Sequence, residues 1–438
     1  MDAAACEIKM LGPCRYDSPV QVPTLDYGPR DRVLIDDTVA ELQGRDAEAG
    51  HLPAFEPAGP RSRVFFEPAR TRAGIVTCGG LCPGLNDVIR GLTMVLHHGY
   101  GVERVEGFRF GYEGLNPAYG HEPMPLTPEA VRGLHQDGGT AIGSSRGPQS
   151  TAAMCDFLES RGVSLLFTVG GDGTLRGAQA ISAEAERRGM SLAVVGVPKT
   201  IDNDIAFVDE SFGFQTAFSL AVQAIRSAHS EAIGVRNGVG LVKLMGRHSG
   251  SIAAQAALAN NDANFVLIPE VDFPLEGDGG LLDRLHERLQ RRAHAVIVVA
   301  EGAGQRYCQS EGVDKSGNRL LGDIGPLLKQ HIVTDPKLAE LAPGVKYIDP
   351  SYVIRSLPAN AYDSALCFQL AANAVHAAMS GRTGLIVGRF RGRSVHIPID
   401  LAVSRRKQVD PGGELWRSVL ESTGQPNWPA ATLHFAKP

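Results

Sequence analysis

Beyond Ala73 the chain alternates short apolar runs with longer stretches of helical periodicity, and few folds other than a helix-covered parallel sheet accept that alternation. GIVTC reads as the first strand. Others are expected near Val102–Gly107, Leu165–Val169, Leu192–Val197, Gly240–Leu244, Phe265–Ile268, Ala295–Ala300 and Gly384–Val387. Among the intervening stretches, Asp87–His97, Leu175–Arg188, Gln215–Glu231, Leu281–Arg292 and Ala361–Met379 read as helices; Val88, Leu92 and Val95 mark the apolar face of the first. A chain of 438 residues exceeds one ordinary core. The expected fold is therefore α/β, with two doubly wound lobes that meet after about Phe212, mostly parallel sheets, and an active site in the cleft between them. Residues 1–71 are rich in Pro and Gly and poor in regular apolar pattern, and they read as an N-terminal extension with short local structure.

Bulk properties exclude several classes. A net charge of -5 does not suit a nucleic-acid-binding face. No apolar stretch approaches the roughly 18 residues of a membrane span, and MDAAACEIKM lacks the basic and apolar regions of a signal peptide. Seven scattered cysteines suit a reducing compartment, so a cytoplasmic location is expected. Cys78 and Cys82 have no second pair or histidine partner to complete a zinc set and read as loop packing.

The chemistry is concentrated where strands turn into helices. Gly79, Gly80 and Gly84 in GGLCPGLN let backbone approach a phosphate at a helix N-terminus, although alone they fit a tight turn equally well. In GGDGT, Gly170, Gly171 and Gly173 clear space around one carboxylate, Asp172, and a lone carboxylate beside phosphates suits Mg²⁺. Thr174 is expected to cap the next helix through its hydroxyl. In PKTIDND, Asp202 and Asp204 flank Asn203, and either a proton acceptor for an attacking hydroxyl or an Asx-turn cluster would use that pattern. Thr200 is placed to orient the acceptor or the phosphate. Arg247 in MGRHSG and Arg146 in IGSSRGP offer planar forks for phosphate oxygens, and Glu301 follows a wholly apolar strand where it can bind sugar hydroxyls. Phosphates, a metal and a proton acceptor together are what phosphoryl transfer requires.

In this order, GGLCPGLN, IGSSRGP, GGDGT, PKTIDND, MGRHSG and AEG resemble the 6-phosphofructokinase family over roughly Arg72 to Asp400. FFEPARTRAGIVTCGGLCPGLNDVIRG and KYIDPSYVIRS are similar to its long plant and trypanosomatid branch, which also carries an N-terminal extension. The resemblance implies a nucleotide-binding lobe over 72–213 completed by about 356–405, a sugar-phosphate-binding lobe over 214–355, and a C-terminal segment over 406–438. It implies Asp202 as general base with Thr200 and Asp204 beside it, Asp172 as the Mg²⁺ ligand, and Gly79 and Gly80 in the ATP loop with Gly171, Gly173 and Thr174. It places Arg146 near the transferring phosphate. Met245, Gly246, Arg247, Glu301, Tyr352 and Arg355 then grip fructose 6-phosphate, with Lys346 in place of another phosphate-binding arginine. Where short bacterial enzymes carry an arginine that reaches a neighbouring subunit, this chain has Gly238, with Arg236 or Lys243 as substitutes. The family's subunit-spanning sites imply a homodimer or homotetramer.

Gly173 indicates the donor. Pyrophosphate-dependent relatives usually carry Asp there, which crowds the α-phosphate of ATP. Lys199 is shared with them, but the long ATP-dependent branch combines both features, so ATP is the expected donor and pyrophosphate the alternative. A non-catalytic sugar-phosphate-binding subunit would typically have lost Asp202 or Asp172. An NAD or lipid kinase would explain GGDGT but not PKTIDND with MGRHSG.

Overall fold

A computed structural model of the chain describes residues 1–28, 31–39, 52–309, 312–313 and 320–431. They fall into two units, each assembled from separate stretches of chain. Residues 1–201, 205–213 and 356–406 form the first, and residues 202–204, 214–355 and 407–438 the second.

The first unit is built on a sheet whose order, from one edge to the other, is Val33–Leu34, Ala54–Pro57, Arg393–Pro398, Leu385–Phe390, Ala193–Pro198, Leu165–Gly170, Arg72–Thr77, Arg104–Gly107 and Met124–Pro125. The five strands from Leu385–Phe390 to Arg104–Gly107 are mutually parallel, and the outer ones are antiparallel. Both faces are covered. Leu165, Phe167 and Val169 share a core with helices Leu85–Met94 and Ala361–Met379, whereas Leu166 and Val194 join one with Thr151–Ser160 and Asp172–Arg187. Double-sided burial explains why these strands read as unbroken apolar runs.

The N-terminal residues add edge strands to this unit. Glu56 on Ala54–Pro57 is their main polar anchor. Its carboxylate accepts from Arg382 Nε at 2.8 Å and from Arg382 Nη2, from Arg61 Nη2 at 3.2 Å, and pairs with Nδ1 of the fully buried His396 at 3.0 Å. Burial by itself raises the Glu56 carboxyl. The hydrogen bonds and charges of Arg382 and His396 outweigh that and hold it far below the usual carboxylate range.

The second unit carries a wholly parallel sheet in the order Phe265–Leu267, His294–Ala300, Gly238–Leu244, Gly344–Ile348. Helices Phe214–Ile233, Ser251–Asn260, Leu281–Arg292 and Ile324–Thr334 accompany it. The C-terminal stretch returns here. Trp416 on helix Glu414–Thr423 is buried, and the Gln425 amide accepts from Val266 N–H at 2.6 Å and donates to Val266 O at 3.2 Å, closing the sheet edge.

Most expected elements are present within a few residues. Helix Leu85–Met94 ends earlier than read, because residues Val95–Gly99 widen into a π turn. Helix Ser251–Asn260 went unread because SIAAQAALAN is buried on nearly all sides and has no amphipathic period. Cys78 and Cys82 are buried packing residues, and Cys82 Sγ donates to Phe212 O at 3.3 Å.

Replacing Glu56 with Gln leaves Arg382 buried without its counter-charge. Glu56→Gln should lower the stability of the first unit by about 3 kcal/mol at pH 7, read by chemical denaturation. A carboxyl held low in the fold stabilises above its unfolded pKa and loses that contribution as pH falls. Wild type should therefore weaken below about pH 4.3, and the variant should weaken less over the same range. Equal acid sensitivity of the two would show that Glu56 does not anchor the fold.

Candidate active site

Three adjacent strands of the first sheet, Arg72–Thr77, Leu165–Gly170 and Ala193–Pro198, deliver three glycine-rich or aspartate-rich loops to one edge of the sheet. Arg104–Gly107 lies on one side of Arg72–Thr77 and Leu165–Gly170 on the other, so the strand order reverses at this point. Such reversals leave the carboxyl ends of strands open to ligands. The loops are laced together by backbone bonds, from Cys78 N–H to Val169 O at 2.9 Å, Lys199 N–H to Gly170 O at 3.0 Å and Gly79 N–H to Ser145 O at 3.0 Å. Ser144 Oγ also donates to Gly79 O at 2.7 Å, which sets exposed Arg146 beside the glycine loop. Lys199 is buried, and its ammonium donates to Gly80 O at 2.5 Å. Gly79 has φ of +85°, and a Cβ there would lie 3.3 Å from Lys199 Nζ, so glycine keeps this corner narrow.

Helix Asp172–Arg187 starts with Gly171 as its N-cap, a residue with no side chain to cap it. Thr174 is therefore inside the first turn and does not cap the helix as expected. Its hydroxyl packs under Gly170, where a Cβ would be only 2.2 Å away, and Tyr112 donates to its carbonyl at 2.5 Å. Asp172 occupies the first turn, where an acidic side chain complements the helix dipole. Gly173 faces open space, with no atom within 4 Å of an added Cβ. No group of three or more His, Cys, Asp or Glu among the described residues could hold a metal by itself. Asp172 is the carboxylate that the GGDGT loop offers, and Mg²⁺ needs few protein ligands because it keeps several waters and shares phosphate oxygens. Sequence reading missed Arg406, whose guanidinium lies 2.7 Å from Asp172 Oδ2. In SRRKQ it looks like any surface charge.

The second unit gathers the other set. Asn203, at φ of 53°, turns the chain between the two aspartates, and Asp204 is buried with its carbonyl accepting from Lys407 N–H at 2.8 Å. Asn tolerates this left-handed conformation better than most residues. Asp202 Oδ2 faces the Arg247 backbone N–H at 3.5 Å. Strands Gly238–Leu244 and His294–Ala300 end in register at Leu244 and Ala300, so the MGR loop and Glu301 emerge side by side. Glu301 N–H bonds Leu244 O at 2.9 Å and Gly302 N–H bonds Gly246 O at 3.1 Å. The approach is close enough to require glycine twice. Gly246 has φ of +131°, and a Cβ on Gly302 would lie 2.0 Å from Arg247 O. Met245 is buried beneath the loop. Burial raises the Glu301 carboxyl, and Arg247, Lys243 and Arg355 pull it back.

Glu270, unread in the sequence, closes the MGRHSG loop from below. Its buried carboxylate accepts from Gly250 N–H at 3.0 Å and from Val409 N–H at 2.9 Å. Helix Ser351–Ser356 presents Tyr352 and Arg355 three residues apart, with the guanidinium 4.6 Å from the ring centroid. Lys346 is not brought to this edge. It lies in register with Gly240 at the middle of its own strand, with Nζ 3.7 Å from Glu231. Gly238 cannot be replaced by arginine in this fold, since its Cβ would meet Ala232 O at 2.1 Å. Lys243 does not take over that role either, because its ammonium is held within its own unit by Asp323 and Asp349.

A parallel-sheet unit with glycine loops at a strand-order reversal, and a second with a carboxylate beside the MGR loop, are parts that a phosphotransferase uses. The phosphofructokinase family profile matches residues 72–378, and the chain belongs to that family. It is 52% identical over 434 residues to the ATP-dependent 6-phosphofructokinase of Amycolatopsis methanolica, covering 96% of this chain and 94% of that protein. The ATP-dependent 6-phosphofructokinase of Trypanosoma brucei brucei is 50% identical over 372 residues, covering 84% and 76%. The Arabidopsis thaliana ATP-dependent 6-phosphofructokinase 4, described as chloroplastic, is 47% identical over 380 residues, covering 85% and 71%. Among solved structures, the pyrophosphate-dependent phosphofructokinase of Marinobacter aquaeolei shares the fold, with a TM-score of 0.67 at 20% identity over 84% of this chain and 94% of its own.

Gly302→Ala tests the paired loops. Because the Cβ meets backbone rather than a flexible side chain, the substitution should displace Gly246–Arg247 and cost about 1–3 kcal/mol. A crystal structure of the variant with that loop unmoved would show that the close approach is not a constraint.

Proposed function

We infer that the protein is an ATP-dependent 6-phosphofructokinase. It transfers the γ-phosphate of ATP to the 1-hydroxyl of fructose 6-phosphate, and the product is fructose 1,6-bisphosphate, as in glycolysis. The observation that carries this reading is the Asp202 carboxylate facing the Arg247 backbone N–H of the MGR loop. The extent and identity of the match to the Amycolatopsis methanolica enzyme support it.

The triphosphate rests on Gly79, Gly80 and the first-turn N–H groups around Gly171–Thr174, with Lys199 and Arg146 facing the transferring group. Asp172 is the residue that would hold Mg²⁺, which when bound neutralises charge on the β- and γ-phosphates. Arg247, Glu301, Tyr352 and Arg355 bind the sugar and its 6-phosphate. Asp202 takes the proton of the 1-hydroxyl as its oxygen bonds to the γ-phosphorus and the bond to ADP breaks. Thr200 and Asp204 hold the loop on either side, with Ser211 Oγ donating to Thr200 O at 2.5 Å.

We place the enzyme in the cytoplasm, which agrees with the absence, among the described residues, of any helix long and apolar enough to cross a membrane. A homodimer or homotetramer fits the position of Lys346. Its side chain is half exposed, so that it would be accessible to a phosphate bound by another copy.

Asp202→Asn is nearly isosteric but removes the proton acceptor. It should lower kcat by about 10²–10⁴-fold with a smaller change in KM for fructose 6-phosphate. A variant within about threefold of wild type would sink the assignment of the base.

Gly173→Asp tests the donor. The open space at this helical position accepts the side chain, so the effect should be electrostatic. Like charges about 4 Å apart repel by roughly 1 kcal/mol in water and about 4 kcal/mol at an effective dielectric near 20. ATP-dependent turnover should therefore fall roughly fivefold to several-hundredfold, and any pyrophosphate-dependent turnover should be spared. Wild type preferring pyrophosphate would show that Lys199, not Gly173, marks the donor.

A further inference from the structure

Three elements of the second unit converge on one ammonium group. Lys243 is the penultimate residue of strand Gly238–Leu244, two residues before Met245, and its side chain is only 13% exposed. Its Nζ lies 2.9 Å from Asp323 Oδ1 and 2.9 Å from Asp349 Oδ2. The second oxygen of Asp349 is also committed. It accepts from Ser351 N–H at 3.1 Å and from Ser351 Oγ at 2.5 Å, which fixes the turn into helix Ser351–Ser356. That helix presents Tyr352 and Arg355. Asp323 caps helix Ile324–Thr334 by accepting from Gly325 N–H at 3.3 Å.

We propose that Lys243 is a positioning residue for fructose 6-phosphate binding: it ties the turn before Tyr352 and Arg355 to the strand that ends in the MGR loop, and so sets the spacing of the arginines on either side of Glu301. The inference rests on the preceding reading of Arg247, Glu301 and Arg355 as the sugar-phosphate grip. Two carboxylates on separate segments converge on a single cation. Without it they repel, and the Asp349 turn, which has no ladder bond of its own to Gly238–Leu244, is the part that moves. Backbone pairing between Gly238–Leu244 and Gly344–Ile348 ends at Val242 and Ile348, so the side chain of Lys243 begins where the main-chain link stops. A displacement of order 1 Å at Arg355 is enough to cost up to a hundredfold in a positioned site. A merely structural ion pair would behave otherwise, lowering stability and the active fraction while leaving the affinity of correctly folded molecules unchanged.

The full chain carrying Lys243→Met, Lys243→Arg, Asp349→Asn or Arg355→Ala would be assayed for kcat, for KM with each substrate and for melting temperature. Lys243→Met should raise KM for fructose 6-phosphate roughly tenfold to a hundredfold. KM for ATP should stay within about twofold and kcat within about threefold of wild type. Lys243→Arg, which keeps the charge, should recover most of the affinity. Asp349→Asn keeps an oxygen for Ser351 but loses the ionic link, so it should shift KM in the same direction even if the Met variant fails to fold. A lowered melting temperature with unchanged KM for fructose 6-phosphate in Lys243→Met or Asp349→Asn would overturn the proposal. If Arg355→Ala also leaves that KM unchanged, the sugar-phosphate reading itself fails. If Arg355→Ala raises it and Asp349→Asn does not, only the role of Lys243 is refuted.

Discussion

Burial of the parallel strands on both faces is the constraint on which everything else depends. A strand such as Leu165–Gly170, with every residue buried and Thr168 its one polar side chain, presents nothing to a ligand until it ends. Ligand contacts are therefore confined to carboxyl-terminal loops, where backbone N–H groups are free and helix dipoles favour anions. Gly79, Gly171 and Gly246 are consequences of that confinement. Each lies within a few residues of a buried strand end, where adjacent loops must pass one another at backbone distance.

The two sets of loops use charge differently. On the first unit Asp172, at a helix start, faces Arg406, so its negative charge is balanced by protein. On the second, burial raises the Glu301 carboxyl while Arg247, Lys243 and Arg355 pull it back, and Lys243 is itself paired with Asp323 and Asp349. Glu270 shows a third use: a buried carboxylate satisfied wholly by backbone N–H groups from Gly250 and Val409 acts as a rivet, with burial raising its carboxyl.

Much of this was legible in the sequence because the same constraint writes itself into the pattern. Doubly buried strands appear as apolar runs, and the loops after them are punctuated by glycine and aspartate. Helices with one wet face, such as Leu281–Arg292, were readable to the residue. Helix Ser251–Asn260 was not, since a segment buried on nearly all sides carries no period. Nor could spacing show that the helix after Gly171 begins at Asp172 rather than beyond Thr174, because the deciding contact is the close fit of Thr174 under Gly170. Arg406, Glu270 and the partners of Lys243 were hidden for another reason. Each acts on a residue tens to hundreds of positions away, and local pattern holds no trace of that. The resemblance offered Lys346 in place of a phosphate-binding arginine, and within its own chain its ammonium lies 3.7 Å from Glu231.

Both units are discontinuous in the chain, and this bears on biosynthesis. Strand Ala193–Pro198 pairs on one side with Leu165–Gly170 and on the other with Leu385–Phe390, which the ribosome makes far later. Until then one flank of the central sheet is an open strand edge, the kind of surface that invites mispairing with other chains. The second unit receives its edge clamp, Gln425 on Val266, only about 160 residues after that strand has been made. Helices Thr151–Ser160 and Asp172–Arg187 can shield one face of the young sheet early, but helix Ala361–Met379 of the other face arrives late. A nascent molecule stalled anywhere before about residue 385 thus presents unsatisfied backbone from its most apolar strands, and its survival depends on chaperone cover or on fast completion of the chain.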